Sequence, residues 1–111
     1  DSRIVRHLAR NLAPYTVAVM PLSNKLVAPA KELFDSLRYD FDAIFDTTGS
    51  IGKRYRREDA IGTPLCITFD FDSANDHCVT VRERDSRKQE RVSIDCLKDY
   101  IRNFLAQENV K

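Results

Sequence analysis

No stretch of this 111-residue chain strings together the roughly 20 apolar residues that a bilayer helix needs, and no basic-then-apolar leader stands before a cleavage-like site. The expectation is a chain with no membrane segment and no secretory route. Cysteine is scarce: there are three, an odd number without CxxC spacing, which argues against a disulfide framework or a zinc ribbon. Cys66, Cys78 and Cys96 read as reduced core residues, which fits a cytoplasmic interior or, as a second choice, a mitochondrial one. Histidine is scarcer still. His7 and His77 have no metal-ligand spacing, HExxH is absent, and no Ser/His/Asp or Cys/His arrangement is recognisable, so no catalytic residue and no metal ligand is assigned. Both histidines read as surface or strand-end residues. Internal repeats and low-complexity tracts are also missing.

What is present is an ordinary globular composition, 42% hydrophobic and 32% charged, in a length that suits one domain. The net charge of +1 says little, but its distribution is uneven. Residues 35–46 carry four aspartates against one arginine, residues 53–57 hold four cations in five positions, and residues 82–91 hold five cations against three anions. One acidic flank and one basic flank are expected.

Apolar patterning gives the order β-α-β-α-β-β-β-α. YTVAVMPL (15–22), bracketed by Pro14 and Pro21, reads as a buried strand, and Leu26, Val27, Ala30, Leu33, Phe34 and Leu37 recur at helical spacing with Pro29 in the first turn. A short strand around 41–45 precedes a helix that Ser50 caps, that carries Ile51, Tyr55 and Ile61 near one face, and that Gly62 and Pro64 terminate. PLCITFDF (64–71) is a continuous apolar run, as in a strand covered on both faces. Strands at about 77–84 and 89–95 flank the turn Asp85-Ser86-Arg87-Lys88, and Leu97, Tyr100, Ile101, Phe104 and Leu105 mark a closing helix after Asp95, a candidate N-cap. Right-handed crossovers make the first three strands parallel, so the expected architecture is a three-layer α/β/α domain over 12–111 with a mixed five-stranded sheet. Residues 1–11, where Ile4, Val5 and Leu8 suit a helix, are expected to be a linker or N-terminal extension.

Two places could carry chemistry. Period-two alternation puts Val79, Val81, Val92 and Ile94 on one face of the hairpin and Thr80, Arg82, Arg84, Gln89, Arg91 and Ser93 on the other. A row of guanidiniums there would suit unpaired RNA, whose bases offer acceptors to a planar fork. Carboxylates interleaved with them, such as Glu83, Asp85, Asp70 and Asp72, could accept from the amino group of cytosine. A solvated sheet edge with cross-strand ion pairs is the plainer reading. The second place is GSIGKRYRRED (49–59), where glycines and the cations Lys53, Arg54 and Arg57 open a helix as candidate phosphate contacts. The spacing is not that of a P-loop, and a solvated helix face competes with it.

LAPYTVAVMPL (12–22), TGSIGKRYRREDAIGTP (48–64), ITFDFD (67–72) and TVRERDS (80–86) together resemble the C-terminal anticodon-binding domain of class II aminoacyl-tRNA synthetases of the glycine-specific kind. The resemblance runs over about residues 12–106. It implies strand order 2-1-3-4-5 with strand four antiparallel and three helices. It also implies that anticodon bases meet Ser23 and Asn24 after strand one, Asp70, Phe71 and Asp72 at the end of strand three, and Arg82, Glu83, Arg84, Asp85, Gln89 and Arg91 on strands four and five. Glycine anticodons end in two cytosines. Ala60 and Thr47 depart from the usual pattern, and the class II catalytic motifs are absent. No cofactor is therefore expected in this chain: ATP and glycine would bind a catalytic domain outside it, in a parent enzyme that is a homodimer. The same fold serves other class II synthetases and the accessory subunit of a mitochondrial DNA polymerase, while the strand-end crevice of such a sheet also suits a nucleotide-using enzyme.

Overall fold

The computed structural model describes residues 15–110. Pro14, the residues assigned to the N-terminal extension, and His7 lie outside them. The described chain runs β1 (Val17–Pro21), a 3-10 turn (Asn24–Leu26), α1 (Val27–Leu37), β2 (Ala43–Phe45), α2 (Ile51–Ile61), β3 (Leu65–Phe69), a single helical turn (Ser73–Asp76), β4 (Cys78–Glu83), β5 (Gln89–Ser93), a 3-10 turn (Ile94–Cys96) and α3 (Leu97–Val110). The sheet order is β2-β1-β3-β4-β5. β1 pairs parallel with β2 and β3, and β4 is antiparallel to both of its neighbours. This is the expected mixed sheet.

The two sides of the sheet are dressed differently. Val17, Val19, Leu65, Ile67, Phe69, Val79 and Val81 point to one side, where Leu26, Ala30, Leu33 and Leu37 of the α1 segment and Leu97 and Ile101 of α3 cover them. Each of these side chains larger than alanine removes most of its apolar surface from water, worth about 1.5–3 kcal/mol apiece before entropy is counted. Ala18, Met20 and Cys66 point to the other side, where α2 packs with Ile51 and Tyr55. That second core is small.

Local signals account for the ends of α2. The Ser50 side chain accepts from Lys53 N at 3.3 Å, and Gly62 closes the helix at φ 89°, a left-handed conformation that glycine adopts without a Cβ clash. Ahead of the last helix the chain differs from expectation: Asp95 lies inside a 3-10 turn, and Ser93 Oγ caps that turn by accepting from Asp95 N at 3.3 Å. Cys66 is buried as expected, Cys78 is half-buried, and Cys96 is exposed on that 3-10 turn, which corrects its reading as a core residue. All three thiols are free. His77 is exposed just before β4.

Candidate nucleic-acid interface

The C-terminal ends of β1 and β3 meet through Leu22 N, which donates to Phe69 O at 2.9 Å. This brings two of the expected loops together. Ser23, half-buried, accepts from Lys25 N at 3.3 Å and so shapes the 3-10 turn that leaves Asn24 exposed. In the loop after β3, Phe71 is 54% exposed, an unusual state for a large aromatic, and Asp72 is also exposed. Asp70 is committed to structure: its Oδ1 accepts from Ser73 N at 3.0 Å, and its Oδ2 accepts from Arg91 Nη1 at 2.6 Å. Burial pulls the Asp70 pKa up, but hydrogen bonds from Arg91 and Ser73 outweigh it and hold the carboxyl below its ordinary range. Arg91 also donates to both oxygens of Asp76, at 3.0 and 2.9 Å, and so clamps β5 to the helical turn.

The hairpin faces split as alternation requires, with Thr80 opposite Arg91 and Arg82 opposite Gln89 on the α2 side of the sheet. The guanidiniums are not an uncovered row, however. Arg82, only 13% exposed, lies over the Tyr55 ring with Cζ 4.8 Å from the centroid and pairs with Asp59 at 3.4 Å. Arg84 donates from Nε to Asp59 O at 3.0 Å and from Nη1 to Asp85 at 3.0 Å. Helix α2 therefore supplies anionic and aromatic lining to these half-buried cations. Gln89 is exposed beside this cluster.

Two expectations are corrected by position. Glu83 does not interleave with the arginines: it turns to the α3 side, where it accepts from Tyr100 OH at 3.2 Å and from Ser86 Oγ at 2.8 Å. Its place in the alternation with Val79 and Val81 is the reason. The strand-end group and the hairpin tip are also apart, because Leu65 faces Glu83 while Thr68 faces Thr80. The length of β3, roughly 13 Å at about 3.3 Å per residue, separates Asp70 from Arg84. The structure thus gathers Ser23, Asn24, Asp70, Phe71, Asp72 and Arg91 near one end of the sheet, and Arg82, Arg84, Asp85 and Gln89 towards the other.

The helix-start cations separate in the same way. Arg54 is 5% exposed and donates to the carbonyls of Pro21 and, at 3.1 Å, Gly49, so its charge ties α2 to the end of β1 rather than facing a phosphate. Arg57 is held by both oxygens of Asp46 at 2.6 and 2.7 Å and donates to Thr48 O at 3.2 Å. Lys53 is exposed, and among the described residues it makes no ion pair. No group of acidic, histidine or cysteine side chains that could hold a metal occurs among the described residues.

With this geometry in view, a family model described as the anticodon binding domain matches residues 16–104. The chain belongs to that family. Among curated proteins, an anticodon binding domain of this kind is similar to glycine–tRNA ligase of Mycoplasma capricolum, 58% identical over 101 residues, and to that of Clostridium kluyveri, 54% identical over 102 residues. These alignments cover 91% and 92% of this chain and 22% of each relative, so the chain spans about a fifth of their length. Among solved structures it resembles the RNA binding domain of threonyl-tRNA synthetase from Cryptosporidium parvum Iowa II. The TM-score is 0.75 at 28% identity, covering 81% of this chain and 23% of that one.

Sequence reasoning missed the side chains of this anticodon binding domain that organise the arginines: Tyr55, Asp59 and Asp46. One signal was available. At about 100° per residue, Arg54 and Glu58 fall in the same arc of α2 as Ile51 and Tyr55, so a charged pair had to point inward. Tyr55 confirms the packing, since its hydroxyl hydrogen bonds with Thr68 Oγ1 on β3. Ile61, expected near the packed face, is 38% exposed.

Proposed function

We propose that this chain is the anticodon-reading part of a glycine–tRNA ligase and binds the anticodon loop of glycine tRNA without carrying out catalysis. The observation that supports this reading most is the chain-long similarity to glycine–tRNA ligases at more than half identity. In this reading the α2 side of the sheet holds the loop. Phe71 offers a stacking surface, Ser23, Asn24 and Asp72 offer hydrogen-bonding groups beside it, and Arg82, Arg84, Asp85 and Gln89 meet the neighbouring nucleotides. Arg91 and Asp70 hold the loop after β3 in place, and Lys53 takes a backbone phosphate. The cytosines that end glycine anticodons suit a surface where carboxylates stand beside guanidiniums. ATP and glycine would bind elsewhere in the parent ligase, which we take to be a homodimer in the cytoplasm.

The test is fluorescence anisotropy with a labelled glycine anticodon stem-loop and with a primer-template DNA of equal charge. Preference for the stem-loop supports the reading, and preference for DNA favours the processivity-factor role instead. Affinity of the isolated chain is expected to fall below that of a complete ligase, because contacts to the acceptor end add avidity. A melting temperature that rises with nucleotide and not with RNA would point to a small-ligand enzyme.

A further inference from the structure

Helix α2 is fixed to the sheet through acids as well as apolar groups. Glu58 has no exposed surface, and Asp46, just beyond β2, is 6% exposed. Their carboxyl groups lie within reach of each other. Two carboxylates so placed would offer only acceptors to each other, so a hydrogen bond between them requires that one member carry a proton.

The surrounding bonds identify which one. Asp46 accepts from Arg57 at 2.6 and 2.7 Å and from Thr48 N at 3.2 Å, so its negative charge is answered by a guanidinium and an amide. Glu58 receives a single hydrogen bond, from Thr63 Oγ1 to Oε1 at 2.9 Å. Its Oε2 is fully buried, and no donor among the described residues reaches it. An ionised Glu58 would leave that oxygen unsolvated beside another anion.

We propose that Glu58 keeps its proton in the folded chain and donates it from Oε2 to Asp46, forming a proton-dependent latch between α2 and the C-terminal end of β2. The groups that face it are Asp46 beyond β2, Arg57 on its own helix, Thr63 in the following turn and Cys66 on β3, with Asp59 and Arg82 in electrostatic reach of Cys66. Burial, followed by the hydrogen bond and charge of Asp46, pushes Glu58 up to about 7, against the opposing pull of Thr63 and Arg57. Asp46 goes the other way: burial raises it, but hydrogen bonds with Glu58 and Arg57 hold it below the ordinary range. The latch has a consequence for the interface, because α2 carries Tyr55 and Asp59, which hold Arg82 and Arg84.

The sign of the pH effect follows. Between the ordinary value of 4.5 and about 7 the folded chain binds a proton that the unfolded chain has released. Stability from this group is therefore full below 4.5 and falls as pH rises through about 7.

Carbon-detected NMR of side-chain carboxyls, with urea unfolding across about pH 5 to 8, tests this. One glutamate should titrate near 7, and E58Q, which keeps a neutral donor in the same place, should flatten the decline in stability. A Glu58 midpoint below about 5, or an unchanged decline in a folded E58Q, would overturn the latch. If E58Q fails to fold, the titration of the unsubstituted chain decides alone.

Discussion

The guanidinium of Arg82 lies over the ring of Tyr55 with its Cζ 4.8 Å from the centroid, and it reaches Asp59 on the same helix at 3.4 Å. Two residues of α2 thus preset an arginine of β4. A flexible cation would have to be ordered on binding, at a cost of about 0.5–1.5 kcal/mol for a rotamer-rich side chain. Here the ordering is done by the fold.

Removing the carboxylate should expose that dependence. Asp59→Ala is expected to lower stability by about 1–3 kcal/mol, since Arg82 is mostly covered and would lose a charge-assisted partner. Urea unfolding with an unchanged slope measures it. A variant as stable as the parent would show that the pair contributes nothing.

The paired substitution Arg82→Ala with Arg84→Ala should weaken binding of the anticodon stem-loop, with each good base contact worth about 1–3 kcal/mol. Far-ultraviolet circular dichroism must show that the fold survives. Unchanged affinity in a folded double variant would remove the hairpin from the site.

Arg54 and Lys53 are neighbours in sequence with opposite expectations. Arg54→Ala leaves the carbonyls of Pro21 and Gly49 without their buried donor and should cost about 2–4 kcal/mol of stability. Lys53→Ala should change stability by less than about 0.5 kcal/mol. It should also reduce the salt dependence of RNA binding by about one phosphate contact. Titrating affinity against salt concentration separates the two outcomes.

Asp70 contributes to the acid limb. Its pKa is depressed below 3.8, so the stability it contributes is present above that value and is lost as pH falls further. Arg91→Ala removes the strongest partner and should return Asp70 towards its ordinary range, shifting acid unfolding to higher pH. Identical acid midpoints in the two chains would contradict this role for Arg91.

Much of this molecule was legible in its sequence, and the reasons for the exceptions are physical. The hairpin faces followed from alternation alone, and Ser50 and Gly62 marked the ends of α2 because caps act over a few residues. The same alternation placed Glu83 with Val79 and Val81, away from the arginines, although its charge had suggested a base-reading role. Helical periodicity placed Arg54 and Glu58 on the packed arc of α2, but not what they would meet there. Their partners, Pro21 and Asp46, are distant in sequence and belong to other elements, and only the folded sheet brings them beneath α2. The separation of the strand-end group from the hairpin tip likewise depends on which ends of antiparallel strands meet.

The most direct measurement is the affinity of this chain for two anticodon stem-loops, one with both glycine-type cytosines and one with those two bases replaced. Tighter binding of the cytosine-bearing loop, by about tenfold or more for the pair, is the expected result. Equal affinity for both loops would contradict specific reading of the anticodon by this domain.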